Sequence, residues 1–285
     1  SIKTMNTSNP ITIGYWSTKG LGSVCRQVVI YAGIKLIAKN YKLQPIVEND
    51  NISFDGSDWT NKDKIELKKR NSLINLPYME IIDDEDQKHL ISQSNACLLY
   101  LGRKFKMLGS NELEQTKCEQ LLLETNDLRG IITSFAYTHF KNKDLEKEAA
   151  KEVFTRAFQK NDAGKMQKFE HWLSSNDNSM FLLNNNVSIP DFNLFDILDF
   201  YIEFLKHYNL VDEKNDDKIL SAAGYSKLNK FFIDFKNLPK MKKYFNSILY
   251  KLPYTNKSAN FGSGSKGNSW NTNQIDETPF DVIID

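Results

Sequence analysis

The sequence has few cysteines, almost no net charge and no long apolar run. Only three of its 285 residues are cysteine (Cys25, Cys97 and Cys118), and none has CxxC spacing, which argues against a disulfide scaffold and favours a reducing compartment. Lys and Arg total 37 against 36 Asp and Glu, so the net charge of +1 makes nucleic acid a poor partner. No stretch approaches the roughly 20 apolar residues that span a membrane, and residues 1–9 lack the apolar core of a signal peptide. These absences predict a soluble, cytoplasmic chain without a membrane span.

What the chain does have is apolar mass. Hydrophobic residues make up 40% of it and aromatic residues 12%, which is enough for a packed core. At 285 residues, two domains are the better expectation. Strand and helix patterns alternate up to residue 107, whereas only helical periodicity follows residue 109. We therefore predict a first domain over residues 10–107, an all-helical domain over 110–253 and an extended tail over 254–285.

The pattern of the first domain is β-α-β, a long loop, and then β-β-α. The predicted elements are a strand at 10–15, a helix at 24–33, a strand at 39–47, a surface loop at 48–72 with one helical turn, strands at 76–82 and 89–91, and a helix at 94–107. Strands and helices in this order predict a mixed sheet with helices on its faces.

The second domain has four long helical patterns, and nothing beyond Gly109 has the pattern of a strand. The predicted helical segments are 111–140, 144–172 with a break near Gly164, 188–207 and 221–235. Ser188 and Asp191 have the spacing of a capping box ahead of an apolar helix, which is a structural feature that needs no ligand. The four histidines show no ligand spacing with one another or with the cysteines, so we predict no metal site.

Three segments of the first domain carry residue types that suit a ligand site. Tyr15 stands where the first strand ends, a common position for ligand contacts in sheets with helical crossovers. Pro77 begins an apparent strand although it donates no ladder hydrogen bond. Ser94 opens a helix, where free N–H groups favour an anion such as a carboxylate. Each residue also has a plain structural explanation: a packed aromatic, an edge proline and a helix N-cap.

The three segments together resemble a known family. Gly14-Tyr15-Trp16, Asn75-Leu76-Pro77-Tyr78 and Gln93-Ser94-Asn95-Ala96, in this order, are similar to motifs of the cytosolic glutathione transferases, most closely the mu class. The resemblance continues through Asp127-Leu128-Arg129 with Tyr137, Ser188-Ile189-Pro190-Asp191-Phe192, and the run from Leu228 to Phe235. It covers roughly residues 11 to 253.

This resemblance implies a fold, a reaction and an assembly. The fold is an α/β thioredoxin-like N-terminal domain, with a mixed sheet and helices, followed by an all-α domain in a two-fold homodimer. The reaction is conjugation of the glutathione thiolate to small, soft, hydrophobic electrophiles, a detoxification chemistry with glutathione as co-substrate and no cofactor. Tyr15 would donate a hydrogen bond to the sulfur and stabilise the thiolate.

The resemblance also implies which residues form the site. The residues that would hold glutathione are Trp16, Trp59, Lys64, Asn75, Leu76, Pro77, Gln93, Ser94 and, from the other subunit, Asp127. The Leu76–Pro77 peptide would be cis, and Leu21 and Tyr137 would line the electrophile pocket. Lys62 competes with Lys64 for one role, and position 56, often arginine in the family, is glycine here.

A second function stays open beside the enzyme. The chain would then be a non-catalytic, glutathione-transferase-like binding or scaffold subunit that meets a protein partner through its C-terminal tail. The end of the tail interleaves apolar and acidic residues: Trp270, Ile275, Phe280, Val282, Ile283 and Ile284 lie among Asp276, Glu277, Asp281 and Asp285. This pattern suits docking onto the protein's own surface or a partner, and the alternative is an unconstrained tail.

Overall fold

A computed structural model of the chain describes residues 9–49, 51–161, 163–176, 179–263 and 276–285. These residues fall into two compact units. Unit 1 comprises the described parts of Ser1–Leu101, Pro239–Ser258 and Ser263–Asp285, and unit 2 comprises those of Gly102–Leu238 and Ala259–Gly262. No helix in the described ranges is long and apolar enough to cross a membrane.

Unit 1 contains the sheet. Its elements up to the boundary are β1 (Ile11–Trp16), α1 (Gly22–Tyr31), β2 (Leu36–Tyr41), β3 (Gln44–Glu48), β4 (Asn51–Asp55), a π-helical turn (Trp59–Asp63), α2 (Lys64–Lys68), β5 (Tyr78–Ile82), β6 (Lys88–Ser92) and α3 (Ser94–Lys104), whose last residues belong to unit 2. β1 pairs in parallel with β2 and antiparallel with β5, and β5 pairs antiparallel with β6. The apolar residues that alternate along β1, Ile11 and Ile13, are buried. The predicted mixed sheet with helices is confirmed.

The predicted strand at 39–47 and the predicted loop at 48–72 are wrong in detail. β2 ends at Tyr41, and the next residues form β3, which pairs with β4 in a separate two-stranded sheet. The remaining loop residues form the π-helical turn and α2. Alternation along one segment does not show where a strand changes partner. The apolar residues Ile46, Val47 and Ile52 of this hairpin are exposed, so they do not form a buried face.

Unit 2 is helical over its described residues. Its helices are α4 (Glu112–Ala136), α5 (Lys143–Phe158), α6 (Lys165–Ser175), α7 (Ile189–His207), α8 (Asp216–Ala222) and α9 (Ser226–Lys236). The predicted all-helical character of the second domain and the break near Gly164 are confirmed, whereas the predicted segment 221–235 is two helices. Gly224, with a φ of +92°, separates α8 from α9, because a left-handed residue ends a helix and glycine adopts it without strain.

The chain returns to unit 1 after Leu238. A 3₁₀ turn (Pro239–Met241), α10 (Lys242–Phe245) and α11 (Ile248–Lys251) belong there, so the predicted helical domain 110–253 is too long at its C-terminal end. α1 packs against the 3₁₀ turn and α10. Helical periodicity simply continues into these short helices, so no change in the sequence marks the return.

The last strand is the main correction to the predicted tail 254–285. β7 (Asp281–Ile284) pairs antiparallel with β2, which completes a sheet of order β6-β5-β1-β2-β7. The expectation that no strand follows Gly109 is therefore wrong. Its partner lies more than 240 residues earlier in the chain, so no local pattern could indicate the pairing. Residues 254–263 of the predicted tail are described, and Tyr254 and Phe261 among them are buried, which the prediction of an extended tail did not anticipate. Residues 264–275, with Trp270 and Ile275, lie outside the described residues.

Candidate functional site

Tyr15 is held across the turn that joins β1 to α1. A Cβ atom built on Gly20 would come within 2.6 Å of the Tyr15 hydroxyl oxygen, and one on Gly22 within 2.5 Å of the Tyr15 Cβ and Cγ atoms. Gly20 also has a φ of +39°, a conformation that side chains disfavour. The two glycines therefore let the Tyr15 ring lie directly on the backbone of the turn and the first residue of α1.

This position suits a tyrosine that stabilises an anion. The ring is half-buried, and the guanidinium carbon of Arg26 lies 6.0 Å from its centroid. No acidic residue lies in the first turn of α1, whose N-terminus carries partial positive charge. A negative charge beside the Tyr15 hydroxyl would meet favourable dipoles as well as a hydrogen-bond donor.

Arg26 is a buried residue of the site that sequence analysis missed. Its Nη1 donates to the Thr18 carbonyl (2.9 Å), and its Nη2 donates to the Trp16 carbonyl (3.1 Å) and to Asn40 Oδ1 (3.1 Å). The side chain is 0% exposed, and a charge buried this deeply requires such acceptors. Arg26 thereby fixes the turn that follows Tyr15. A lone arginine within the apolar run 24–33 was the available signal.

The Leu76–Pro77 peptide is cis, as the resemblance implied. Pro77 is buried immediately before β5, and Leu76 is half-buried. Asn75 is exposed, and its Oδ1 accepts a hydrogen bond from the Leu76 N–H at 3.0 Å. The segment thus places the backbone of Leu76 and the side-chain amide of Asn75 directly before β5.

Gln93 and Ser94 form the start of α3, as predicted. Ser94 is the first residue of this 11-residue helix, whose N-terminus is suited to an anion. Gln93 is exposed and has a φ of +74°, although it is not glycine. Such a conformation costs about 1–3 kcal/mol and is concentrated at ligand sites. The Gln93 carbonyl accepts a hydrogen bond from the Cys97 N–H at 3.0 Å, and this bond joins Gln93 to the first turn of α3.

The structure places Trp59 in the core of unit 1. It is 2% exposed, with its ring centroid 5.1 Å from that of Tyr41 and 5.9 Å from that of Tyr78. Trp16 is half-buried and covers Gly56, where an added Cβ atom would lie 3.1 Å from the Trp16 ring. A side chain at position 56 would therefore require the Trp16 ring to shift by a few tenths of an ångström. The predicted contacts of Trp16 and Trp59 with a ligand stay predictions.

Lys62 and Lys64 compete for one predicted role, and Lys62 already forms an ion pair within its own chain. The Lys62 ammonium pairs with Asp58 at 2.9 Å, one turn earlier, and this pairing raises the pKa of Lys62. Lys64 is the first residue of α2 and is half-buried. This geometry favours Lys64 for the predicted role.

A chain of hydroxyl groups supports the π-helical turn, and sequence analysis did not anticipate it. The Tyr78 and Tyr41 hydroxyl oxygens lie 2.9 Å apart, and Tyr41 donates to Asp63 Oδ2 at 2.6 Å. Burial raises the pKa of Tyr78 to about 12 and raises that of Tyr41 further, so both phenols stay protonated and can donate. The Tyr78 ring also covers Gly14, where a Cβ atom would come within 2.1 Å of it.

Two predicted site residues belong to unit 2. Asp127 is largely exposed on α4, and its Oδ2 lies 3.2 Å from the Lys165 ammonium of the same chain. Tyr137 follows the last residue of α4 and is 40% exposed. Leu21, in unit 1, is also 40% exposed at the start of α1. Their contacts with a ligand or a second subunit stay predictions.

The predicted capping box of α7 is confirmed and is part of the core. Asp191 Oδ2 accepts from the Ser188 N–H at 2.7 Å and from the Ser188 hydroxyl at 2.8 Å. Asp191 Oδ1 additionally accepts from the Leu182 N–H at 2.8 Å. Asp191 is 0% exposed, so its carboxylate ties the preceding loop to the buried helix α7.

Unit 1 is thus a mixed sheet with a tyrosine at the end of β1, a cis-proline before β5 and a polar helix start after β6, and unit 2 is helical. These features define a thioredoxin-like domain followed by an all-helical domain. The family model described as "Glutathione S-transferase, C-terminal domain" matches residues 126–248.

Known proteins agree with this description. The chain is 30% identical to glutathione S-transferase 2 of Gallus gallus over 190 residues, which cover 66% of this chain and 74% of that protein. It is 28% identical to glutathione S-transferase Mu 1 of Mus musculus over 241 residues, covering 85% and 93% of the two chains. The crystal structure of the glutathione S-transferase Blo t 8 has a TM-score of 0.66 and 18% identity, covering 88% of this chain and 99% of that one, which shows a shared fold.

The chain therefore belongs to the glutathione S-transferases, and its similarity to Mu proteins of that family makes it mu-like.

Proposed function

We propose that this transferase conjugates the glutathione thiolate to soft, hydrophobic electrophiles, and that Tyr15 stabilises the thiolate. The observation that carries the proposal is the seating of the Tyr15 ring on Gly20 and Gly22 at the start of α1. A free thiol has a pKa of about 8.5 and is only a few per cent ionised at neutral pH. Lowering that pKa by two units requires about 2.7 kcal/mol. One charge-assisted hydrogen bond contributes roughly 1.5–3 kcal/mol, so Tyr15 with the helix dipole suffices.

The remaining residues would bind the rest of glutathione. The backbone of Leu76, next to Asn75 and Pro77, meets the cysteinyl part, and Gln93 and Ser94 hold the γ-glutamyl carboxylate at the start of α3. Trp16, Trp59 and Lys64 hold the glycyl end. Leu21 and Tyr137 would each contact the electrophile, and the 40% exposure of each side chain is compatible with contact to an apolar substrate.

A glutathione-affinity matrix and an assay with a generic aromatic electrophile test this function together. We expect the chain to bind the matrix and to conjugate the electrophile. We expect Ser94→Ala to raise the Kd for glutathione about tenfold, because a hydrogen bond to a charged group is lost. Ser174→Ala is the matched control, since Ser174 is exposed and its hydroxyl donates to the Glu170 carbonyl of its own helix. Binding without turnover would contradict the proposed transferase activity and favour the non-catalytic scaffold. The presence of Tyr15 and Ser94 disfavours the scaffold.

The proposed assembly is a two-fold homodimer in which Asp127 meets the γ-glutamyl ammonium of glutathione bound to the other copy. The exposure of Asp127 at the surface of unit 2 supports this role, and its pairing with Lys165 shows that it already attracts an ammonium group. We expect sedimentation at micromolar concentration to give a dimer. We expect Asp127→Asn to weaken glutathione binding about fivefold, the scale of one partly exposed ion pair. Glu119→Gln, exposed on the same helix, is the control, and a fully active monomer would contradict the assembly.

The cytoplasm is the proposed compartment. Cys25, Cys97 and Cys118 are all free thiols and buried, which suits a reducing environment.

A further inference from the structure

The end of the chain, residues 276–285, is docked on the edge of the sheet, and we name this segment the C-terminal strap. Ile284 pairs with Leu36 and Asp281 with Lys39 along β2. Just before β7, the Phe280 carbonyl accepts from the Asn40 N–H at 2.7 Å. The Phe280 ring meets the buried Tyr41 edge-on, with centroids 5.2 Å apart. The strap thus occupies the edge of β2, and its first residue lies at the same end of the sheet as the turn after β1.

Asp276, the first residue of the strap, contacts that turn directly. Its carboxylate accepts a hydrogen bond from the Ser17 hydroxyl, and its Oδ1 accepts from the Thr278 N–H at 2.9 Å. The Lys42 ammonium donates to the Asp276 carbonyl at 2.7 Å. Asp276 and Ser17 are each 4% exposed. A buried carboxylate is costly unless it is hydrogen-bonded, so loss of the contact with the Ser17 hydroxyl would be unfavourable.

A second connection runs from the strap to the same turn through two fully buried side chains. Asn40 Nδ2 donates to the Pro279 carbonyl at 3.1 Å, and Asn40 Oδ1 accepts from Arg26 at 3.1 Å. Arg26 in turn donates to the carbonyls of Trp16 and Thr18, on either side of Ser17. The strap therefore supports the turn at Ser17 itself and at both of its neighbours.

We propose that Asp276 is a positioning residue for the glutathione site, which holds the turn after β1 in the conformation that presents Tyr15. The proposal rests on the proposed function, since Tyr15 is the residue being presented. The turn carries Gly20, on which the Tyr15 ring lies, so a shift of residues 17–20 moves the surface that orients the hydroxyl. If the turn is competent only about one tenth of the time, the apparent Kd for glutathione rises about tenfold.

Asp276 can be tested without releasing the strap. The β7 ladder, the Lys35–Asp285 ion pair (3.0 Å) and the Lys39–Asp281 ion pair (3.3 Å) all lie away from it. The test compares the full-length chain with Asp276→Ala, with the milder Asp276→Asn, and with Ser17→Ala, which removes the same hydrogen bond from the other side. Asp281→Ala is the matched control, because it removes an exposed acid of the strap.

Two readouts separate this proposal from the proposed function. Amide hydrogen exchange of residues 16–20 and of residues 281–284 needs no glutathione. Titration with glutathione gives the Kd, and the ultraviolet absorbance of the bound thiolate gives its pKa. We expect Asp276→Ala and Ser17→Ala each to speed exchange in 16–20 but not in 281–284, to raise the Kd about tenfold and to raise the thiol pKa by up to about one unit. The effects of the two substitutions should not add in full, because both remove the hydrogen bond between Ser17 and Asp276.

Asp276→Asn should lie between Asp276→Ala and the wild type, and the control Asp281→Ala should stay within about twofold of the wild type. Unchanged exchange in 16–20 in all the variants would overturn the positioning role, even if the wild type failed to bind glutathione. Equal loss of protection in 281–284 would also overturn it, because the effect would then come from strap release. If the wild type did not bind glutathione but the variants still showed the expected changes in exchange, the proposed function would be refuted and the positioning role would stand.

Discussion

Tyr15→Phe is expected to lower the turnover of glutathione conjugation about 10–100-fold while glutathione still binds. The substitution keeps the ring that lies on Gly20 and Gly22 and removes only the hydroxyl donor. The expected loss is the scale of one charge-assisted hydrogen bond, about 1.5–3 kcal/mol. The ultraviolet absorbance of the bound thiolate, followed against pH, should show the thiol pKa rising by about one to two units.

The matched control is Tyr31→Phe, which removes a phenol from the last residue of the same helix α1. Its turnover and thiol pKa should equal those of the wild type. If Tyr15→Phe left both the thiol pKa and the turnover unchanged, Tyr15 would be a packing residue and the thiolate would need another donor.

Asp191→Ala is expected to lower the free energy of unfolding by roughly 3–5 kcal/mol. The substitution leaves the Ser188 N–H, the Ser188 hydroxyl and the Leu182 N–H without their shared acceptor in a buried site. An unsatisfied buried donor costs about 1–3 kcal/mol, and the three costs overlap because water can enter the space that the side chain leaves. Denaturant unfolding measures the difference. Asn142→Ala, at the exposed cap of α5, should cost only about 1 kcal/mol.

The same residue predicts how stability depends on pH. Burial raises the pKa of Asp191 to about 6, from 3.8, although its three hydrogen bonds oppose the shift. The folded state therefore binds a proton more readily than the unfolded state between about pH 4 and 6, so this carboxyl group contributes more to stability as the pH falls. The stability of the wild type relative to Asp191→Asn should rise by up to about 3 kcal/mol between pH 7 and pH 4. A difference that shrinks on acidification would show that the hydrogen bonds outweigh burial.

Local patterns predicted much of the architecture. Helical periodicity predicted the segments that became α4 to α7, and the spacing of Ser188 and Asp191 predicted the capping box, because each depends on residues within a few positions of one another. The order of three short motifs predicted the positions of Tyr15, Pro77 and Ser94 in unit 1. The spacing did not predict the third hydrogen bond of Asp191, because its donor, the Leu182 N–H, lies in the preceding loop.

Features that join distant parts of the chain were not predictable in this way. The hairpin of β3 and β4 was missed because alternation along residues 39–47 does not show where the chain changes partner. The packing of Trp59 against Tyr41 and Tyr78 was not anticipated either. Arg26 gave only a weak signal, as one charge in an apolar run. Each case depends on which segment packs against which, and a local pattern contains no such information.

The sequence by itself determined the family, the β-α-β and β-β-α order of unit 1, the helical nature of unit 2 and the polar start of α3, because these follow from local propensity and short motifs. Only the tertiary structure decided that the chain returns to unit 1 after Leu238, and that the C-terminal strap adds a strand beside β2. The physical reason is that the free energy of a buried contact such as Ser17 with Asp276 depends on proximity in space. Those two residues are 259 positions apart, and neither carries a local sign of the other.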